Sequence, residues 1–185
     1  MKEKTGSYIL RLTLILFAIT AIAALLLGGA NALTENRIRA INREKTIAAI
    51  REVLPSDAEP EEILDFPDST GLVQTLFRVG NDGYAVKVIV GGSQADIELI
   101  VGITADQTVS GISFVSRSET SGLGAVAAQD STKGIRFREQ FIGKSGSVAV
   151  TKDGGDIDAL TGATVTSRAV ATAVSAALSC VAENS

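Results

Sequence analysis

The 185-residue chain contains no histidine, no tryptophan and one cysteine, Cys180. A lone cysteine forms no internal disulfide and supplies no Cys-x-x-Cys pair for zinc or an iron–sulfur cluster, so no metal site is expected. The lack of histidine removes the usual acid–base group of neutral pH, and with it the nucleophile–histidine pairs of common hydrolases. Any redox centre must therefore be borrowed rather than built from side chains. Prolines number three, Pro55, Pro60 and Pro67, all in one short stretch. Basic residues are scarce beyond the N-terminal segment: Thr34 to Ser185 holds 14 Lys and Arg against 20 Asp and Glu, a net charge of −6. Nucleic acid rewards basic patches, so it is excluded as a partner.

What the chain does have is one long uncharged run, LTLILFAITAIAALLLGGANAL, 22 residues from Leu12 to Leu33. As a helix at about 1.5 Å per residue it reaches roughly 33 Å, close to the ~30 Å hydrocarbon core of a bilayer. Lys2, Lys4 and Arg11 precede it, and the mixed set Glu35, Arg37 and Arg39 follows. The positive-inside rule then puts residues 1–11 in the cytoplasm, a transmembrane helix at 12–33, and the rest outside. A cleaved leader is the alternative, with Ala30, Asn31 and Ala32 as its small-residue site. The run is longer than a usual signal core, which favours a retained anchor, and either reading exports the remainder. No charged residue in the span suggests an ion pathway.

Residues 34–70 are predicted as a stalk and a crossing. Ile38, Ile41, Ala48, Val53 and Leu54 recur at helical spacing up to Pro55, and the acidic, proline-bearing stretch 55–70 reads as an irregular loop. Residues 71–185 are predicted as one domain. LVQTLFRV (72–79), YAVKVIV (84–90), DIELIVGIT (96–104) and VSGISFVSR (109–117) are short β-rich runs separated by turn residues, as in an antiparallel meander. A short helix is expected around Phe137–Phe141. A longer one closes the chain, with Val170, Val174, Ala177, Leu178 and Val181 on one face. The predicted class is α+β: a transmembrane helix, then a small twisted, mainly antiparallel sheet packed with helices.

Hydroxyls are concentrated in DALTGATVTS, Asp158 to Ser167, just before the last helix. Free backbone N–H groups and the positive end of the dipole gather at a helix start, which makes it a natural phosphate site. Gly162 and Ala163 let the backbone come close to a ligand. A single Ser or Thr would serve as an N-cap, worth about 0.5–2 kcal/mol. Thr161, Thr164, Thr166 and Ser167 exceed that need, yet on these residues alone capping and anion binding both stand.

DALTGAT resembles the flavinylation motif of the FMN-binding domain family, Asp-x-x-Ser/Thr-Gly-Ala-Thr, whose last threonine, here Thr164, carries FMN through a phosphoester. SETSGLGA (118–125) resembles the family's Glu-Thr-Pro-Gly-Leu-Gly segment, with Ser121 in place of the usual proline and Arg117 where histidine is common. The resemblance runs from about Gly83 to Val181. It implies covalent FMN, attached by a separate Mg²⁺-dependent flavin transferase that uses FAD. Asp158, Thr161, Gly162 and Ala163 would then be a recognition element for that enzyme, although a turn-capping Asp158 is an equal alternative. The phosphate would rest on Val165, Thr166 and Ser167. The isoalloxazine would lie against the 119–124 loop, with Thr120 bonding its edge, Leu123 covering a face and Gly122 giving the loop a permissive backbone. Glu119 would orient the loop, repel reduced flavin or simply be solvated; Leu160 would pack on the ring or in the core. The short, single-span form is similar to the G subunits of Rnf complexes. That implies membrane-subunit partners bearing another covalent FMN and an iron–sulfur centre, with electron flow coupled to Na⁺ or H⁺. The C subunit of Na⁺-translocating NADH:quinone reductase, usually longer, and a flavin-free anchored binding module are the alternatives.

Overall fold

The computed structural model describes residues 2–93, 95–115 and 123–185. The chain divides into two compact units, Met1–Glu44 and Lys45–Ser185. Helix α1, Lys2–Val53, is continuous and supplies the first unit and the opening turns of the second. Its apolar part is long enough to cross a membrane and none of it is buried; Leu16, Phe17, Leu25 and Leu26 are all exposed. Thr20 and Thr34 turn their hydroxyls back onto the carbonyls of Leu16 (3.1 Å) and Ala30 (2.8 Å), which hides the polar group within the helix.

The second unit is built on five strands: β1 (Pro60–Ile63), β2 (Val73–Val79), β3 (Gly83–Gly91), β4 (Asp96–Thr104) and β5 (Val109–Phe114). They pair in sequence order, each antiparallel to the next. Strand alternation gives the sheet two apolar faces. Val86, Val88, Leu99, Val101 and Ile103 meet the final helix α3, Thr164–Asn184, and its buried face is the predicted one: Val170, Val174, Ala177, Leu178 and Val181. On the other face Ala85 and Ile100 meet Ala49, Ile50, Val53 and Leu54 from the end of α1. Ser110 Oγ donates to the Val53 carbonyl (2.6 Å) and so satisfies an orphan acceptor at the end of α1. Helix α3 is also long and apolar enough to span a membrane, but two-thirds of its apolar window is buried in this core.

One expectation is corrected. The acidic stretch 55–70 is not all crossing, because β1 pairs Pro60 with Val79 through Ile63 with Leu76. An edge strand opening on proline loses little, since its missing N–H falls at the strand's first residue. Between the sheet and α3 come a 3-10 helix, Leu123–Ala128, and helix α2, Thr132–Glu139, capped by Ser131 Oγ, which accepts from the Gly134 N–H (3.2 Å). Buried Phe137 and Phe141 meet edge to face at 5.4 Å and root α2 in the core. A bridge between Val150 and Ile157 then delivers the chain to Asp158.

Candidate functional site

Asp158 to Ser167 forms a turn leading into α3. Gly162 takes φ 81°, a left-handed conformation open to glycine at no steric cost. The turn closes through the Ala163 N–H, which donates to the Leu160 carbonyl (2.9 Å). Ser167 fastens it to the helix: its hydroxyl accepts from the Leu160 N–H (3.0 Å) and donates to the Ala163 carbonyl (2.9 Å). The first helical residue is Thr164, and the capping position falls on Ala163, which has no side chain to cap with. Among the described residues the N–H groups of Thr164, Val165 and Thr166 are therefore left open, whereas that of Ser167 already bonds Ala163.

Of the four hydroxyls, Ser167 alone has a hydrogen-bond partner among the described residues. Thr161 is exposed, Thr164 is half-buried and Val165 projects outward. Thr166 is buried, and its Oγ1 has no partner at all among the described residues. Buried hydroxyls are rarely left so, and each specific case calls for an explanation. An anion with several acceptor oxygens would fit both the open N–H groups and the unbonded hydroxyls.

Beside the turn lies a cleft of about 330 Å³, within the size range of ligand pockets. Asp158, Ala159, Leu160 and Thr161 form one wall; Lys133, Arg136, Phe137 and Gln140 of α2 form another, and Val126 of the 3-10 helix completes it. Gly134 allows α2 to come this close to the 3-10 helix, since a Cβ there would lie 2.3 Å from the carbonyl oxygens of Val126 and Gln129. Gln140 sets the separation of the two walls: its Oε1 accepts from the Asp158 N–H (2.7 Å) and its Nε2 donates to the Asp158 carbonyl (3.2 Å). The Asp158 carboxylate itself makes no hydrogen bond among the described residues and is exposed.

Three further cations near the site, Arg168, Lys144 and Arg138, are paired. Arg168 grips Asp153 through two bonds of 2.6 Å, and this hydrogen-bonded guanidinium holds the Asp153 carboxyl below the usual carboxylate range. The Lys144 ammonium does the same to Asp156. Arg138 donates to the carbonyls of Ala127 (3.0 Å) and Gln129 (2.9 Å), tying α2 to the 3-10 helix.

The sequence pattern of the FMN-binding domain matches residues 92–179, a span that contains β4, β5, the cleft and the Thr164 turn. The chain is 32% identical over 169 residues to the G subunit of the ion-translocating oxidoreductase complex of Methanosarcina acetivorans, covering 86% of this chain and 87% of that protein. It is also 32% identical over 190 residues to the G subunit of the Na⁺-translocating ferredoxin:NAD⁺ oxidoreductase complex of Acetobacterium woodii, covering 90% and 88%. The chain belongs to the G-subunit family of ion-translocating oxidoreductase complexes. The corresponding member of a proton-translocating ferredoxin:NAD⁺ oxidoreductase complex, from Clostridium ljungdahlii, is 41% identical over 98 residues, about half of each chain.

Within this family's fold the residues singled out from sequence fall into three groups. Asp158, Leu160 and Thr161 line the cleft, with Leu160 also packed against the main core. Gly162, Ala163, Thr164, Val165, Thr166 and Ser167 make the turn and the first turn of α3. Leu123 is the first residue of the 3-10 helix, while Glu119, Thr120 and Gly122 lie outside the described residues. Sequence reasoning missed Lys133, Arg136 and Gln140. Their spacing, i, i+3 and i+7, puts them on one helical face, but only the tertiary fold turns that face toward the motif.

Proposed function

We propose that this chain is the electron-carrying flavoprotein subunit of an Rnf-type ferredoxin:NAD⁺ oxidoreductase complex, with FMN esterified through its phosphate to Thr164. The observation that carries the reading is the start of α3: three open N–H groups, an uncapped Ala163 and the unbonded hydroxyls of Thr161, Thr164 and Thr166, beside a ligand-sized cleft. Family membership and the names of the relatives support the complex.

The residues fit FMN in kind. The α3 N–H groups and the helix dipole hold the phosphate. Leu160, Val126 and Phe137 offer apolar surface to the ring and exclude water from it. When bound, FMN would supply reversible one-electron exchange, the chemistry for which proteins borrow a cofactor. A threonine hydroxyl is a weak nucleophile, and no histidine is present to activate it, so attachment falls to a flavin transferase with FAD as donor. The exposed, unbonded Asp158 carboxylate supports the recognition role over turn capping. A covalent link also frees occupancy from dependence on free flavin, which suits a domain outside the cytoplasm. Residues 12–33 would anchor the chain, with residues 1–11 inside and the flavin domain outside. The span offers no charged group to an ion, so passage of Na⁺ or H⁺ belongs to the neighbouring membrane subunits.

The test is fluorescence after denaturing gel electrophoresis of chain made in a host with an active flavin transferase. Wild type gives a fluorescent band and Thr164→Val gives none, a loss of at least tenfold. A dark wild-type band sinks the covalent reading. Copurification separates the Rnf assignment from NADH:quinone reductase through the identity of the neighbouring subunits.

A further inference from the structure

Lys133 and Arg136 stand apart from the other cations near the site. Arg138, Lys144 and Arg168 are each committed to a carboxylate. Lys133 and Arg136 are exposed, line the cleft, and have no anionic partner among the described residues. Gln140, the remaining polar group on that helix face, spends its amide on the Asp158 backbone. The cleft thus pairs apolar cover from Val126, Phe137, Ala159 and Leu160 with two free positive charges set against one free carboxylate, Asp158. This occurs in a region whose net charge is −6, where an added negative charge is otherwise disfavoured.

We propose that Lys133 and Arg136 contact the pyrimidine edge of the flavin ring in this cleft and raise its midpoint potential by stabilising the reduced form. The proposal rests on the flavin reading above. Uptake of one electron without a proton adds one negative charge to the ring system. The electron comes from a redox neighbour in the complex, or from dithionite in a titration. The oxidised ring is neutral, so the two cations interact more strongly with the reduced one, and a differential interaction of this kind is what shifts an equilibrium. Because both side chains are exposed, the effect is screened by salt.

The test uses the full-length chain in detergent, produced with an active flavin transferase. Fluorescence under denaturing conditions measures covalent flavin in wild type, Lys133→Gln, Arg136→Gln, the double variant and Arg136→Lys. Dithionite titration followed by flavin absorbance, normalised to that occupancy, gives the midpoint potential. Each single Gln substitution is expected to lower the reduced-to-oxidised ratio at fixed potential about threefold, as for an exposed charge pair. The double variant should lower it about tenfold, 59 mV for a one-electron couple, with the difference shrinking at 1 M salt. Arg136→Lys should titrate near wild type. A flavinylated double variant with unchanged potential overturns this inference and leaves the parent reading intact. Loss of attachment in the Gln variants assigns the cations to phosphate or transferase recognition and overturns it equally. A wild-type chain without covalent flavin overturns the parent reading, and this inference with it.

Discussion

Thr166 is a small local cost written into the start of α3. Its hydroxyl is buried and unbonded, a situation costing on the order of 1–3 kcal/mol relative to a satisfied group. Valine has nearly the same shape without the polar atom. Thr166→Val should therefore stabilise the unflavinylated protein by about 1 kcal/mol, read as a higher midpoint in urea unfolding. On the proposed function the gain disappears once flavin is attached, because phosphate oxygens then give the hydroxyl a partner. A destabilised apo variant would mean that the hydroxyl is satisfied by other means. Ser167, one residue on, illustrates the contrary use of the same chemistry: its hydroxyl bonds Leu160 and Ala163 and is structural. From sequence the two were indistinguishable, since both are hydroxyls in the first turn of a helix. Which of them faces the turn's backbone depends on the helix starting at Thr164, not a residue later.

At the scale of elements, the strands β2 to β5 and helix α3 were legible because alternation and 3.6-residue periodicity report burial directly. Strand β1 was not. Pro60, Glu61 and Glu62 carry no apolar alternation, and an edge strand needs only one neighbour to form. Its approach to β2 is organised by Asp68 instead. One carboxylate oxygen accepts from the Thr70 N–H (2.9 Å) and hydroxyl (2.6 Å), and the other accepts from the Val73 N–H (2.9 Å). Burial pushes the Asp68 carboxyl up, but these hydrogen bonds outweigh it and leave the group below its ordinary value. Asp68→Asn keeps the shape and one acceptor oxygen yet loses the charge-assisted bonds. After allowance for solvent screening, the expected cost is roughly 1 kcal/mol at neutral pH, shrinking as pH falls through the carboxyl's lowered folded value. Urea midpoints of the two proteins at neutral pH and along an acid series check this, and a deficit that stays constant would show that the charge is irrelevant. The cleft was the least legible feature of all. It is made by α2, the 3-10 helix and the Asp158 turn together, and Gly134, on which their close approach depends, looks in sequence like any other glycine.

Across the whole molecule, the missing histidine shapes the pH response as firmly as any group that is present. Asp153 and Asp156 are held below the carboxylate range by Arg168 and Lys144, and Asp68 by its turn. A carboxyl whose folded pKa is depressed contributes stability above its unfolded value, about 3.9, and loses that contribution as pH falls through the lower folded value. Cys180 supplies the opposite limb. Burial, then the nearby negative charges of Asp68 and Glu183, pushes its thiol up to about 11. The unfolded chain ionises that thiol first, so its contribution is complete below about pH 8.5 and is lost as pH rises toward the folded value. No histidine titrates between these limits. The full-length chain in detergent should therefore show a flat melting temperature from about pH 5 to 8, with declines below 4 and above 9. Cys180→Ala should soften the alkaline decline while leaving the acid one unchanged. A step in stability near pH 6.5 would require a titrating group that this chain does not possess. The same argument reaches the redox centre: with no side chain changing charge near neutrality, any slope of the flavin potential between pH 6 and 8 must come from protons on the flavin itself.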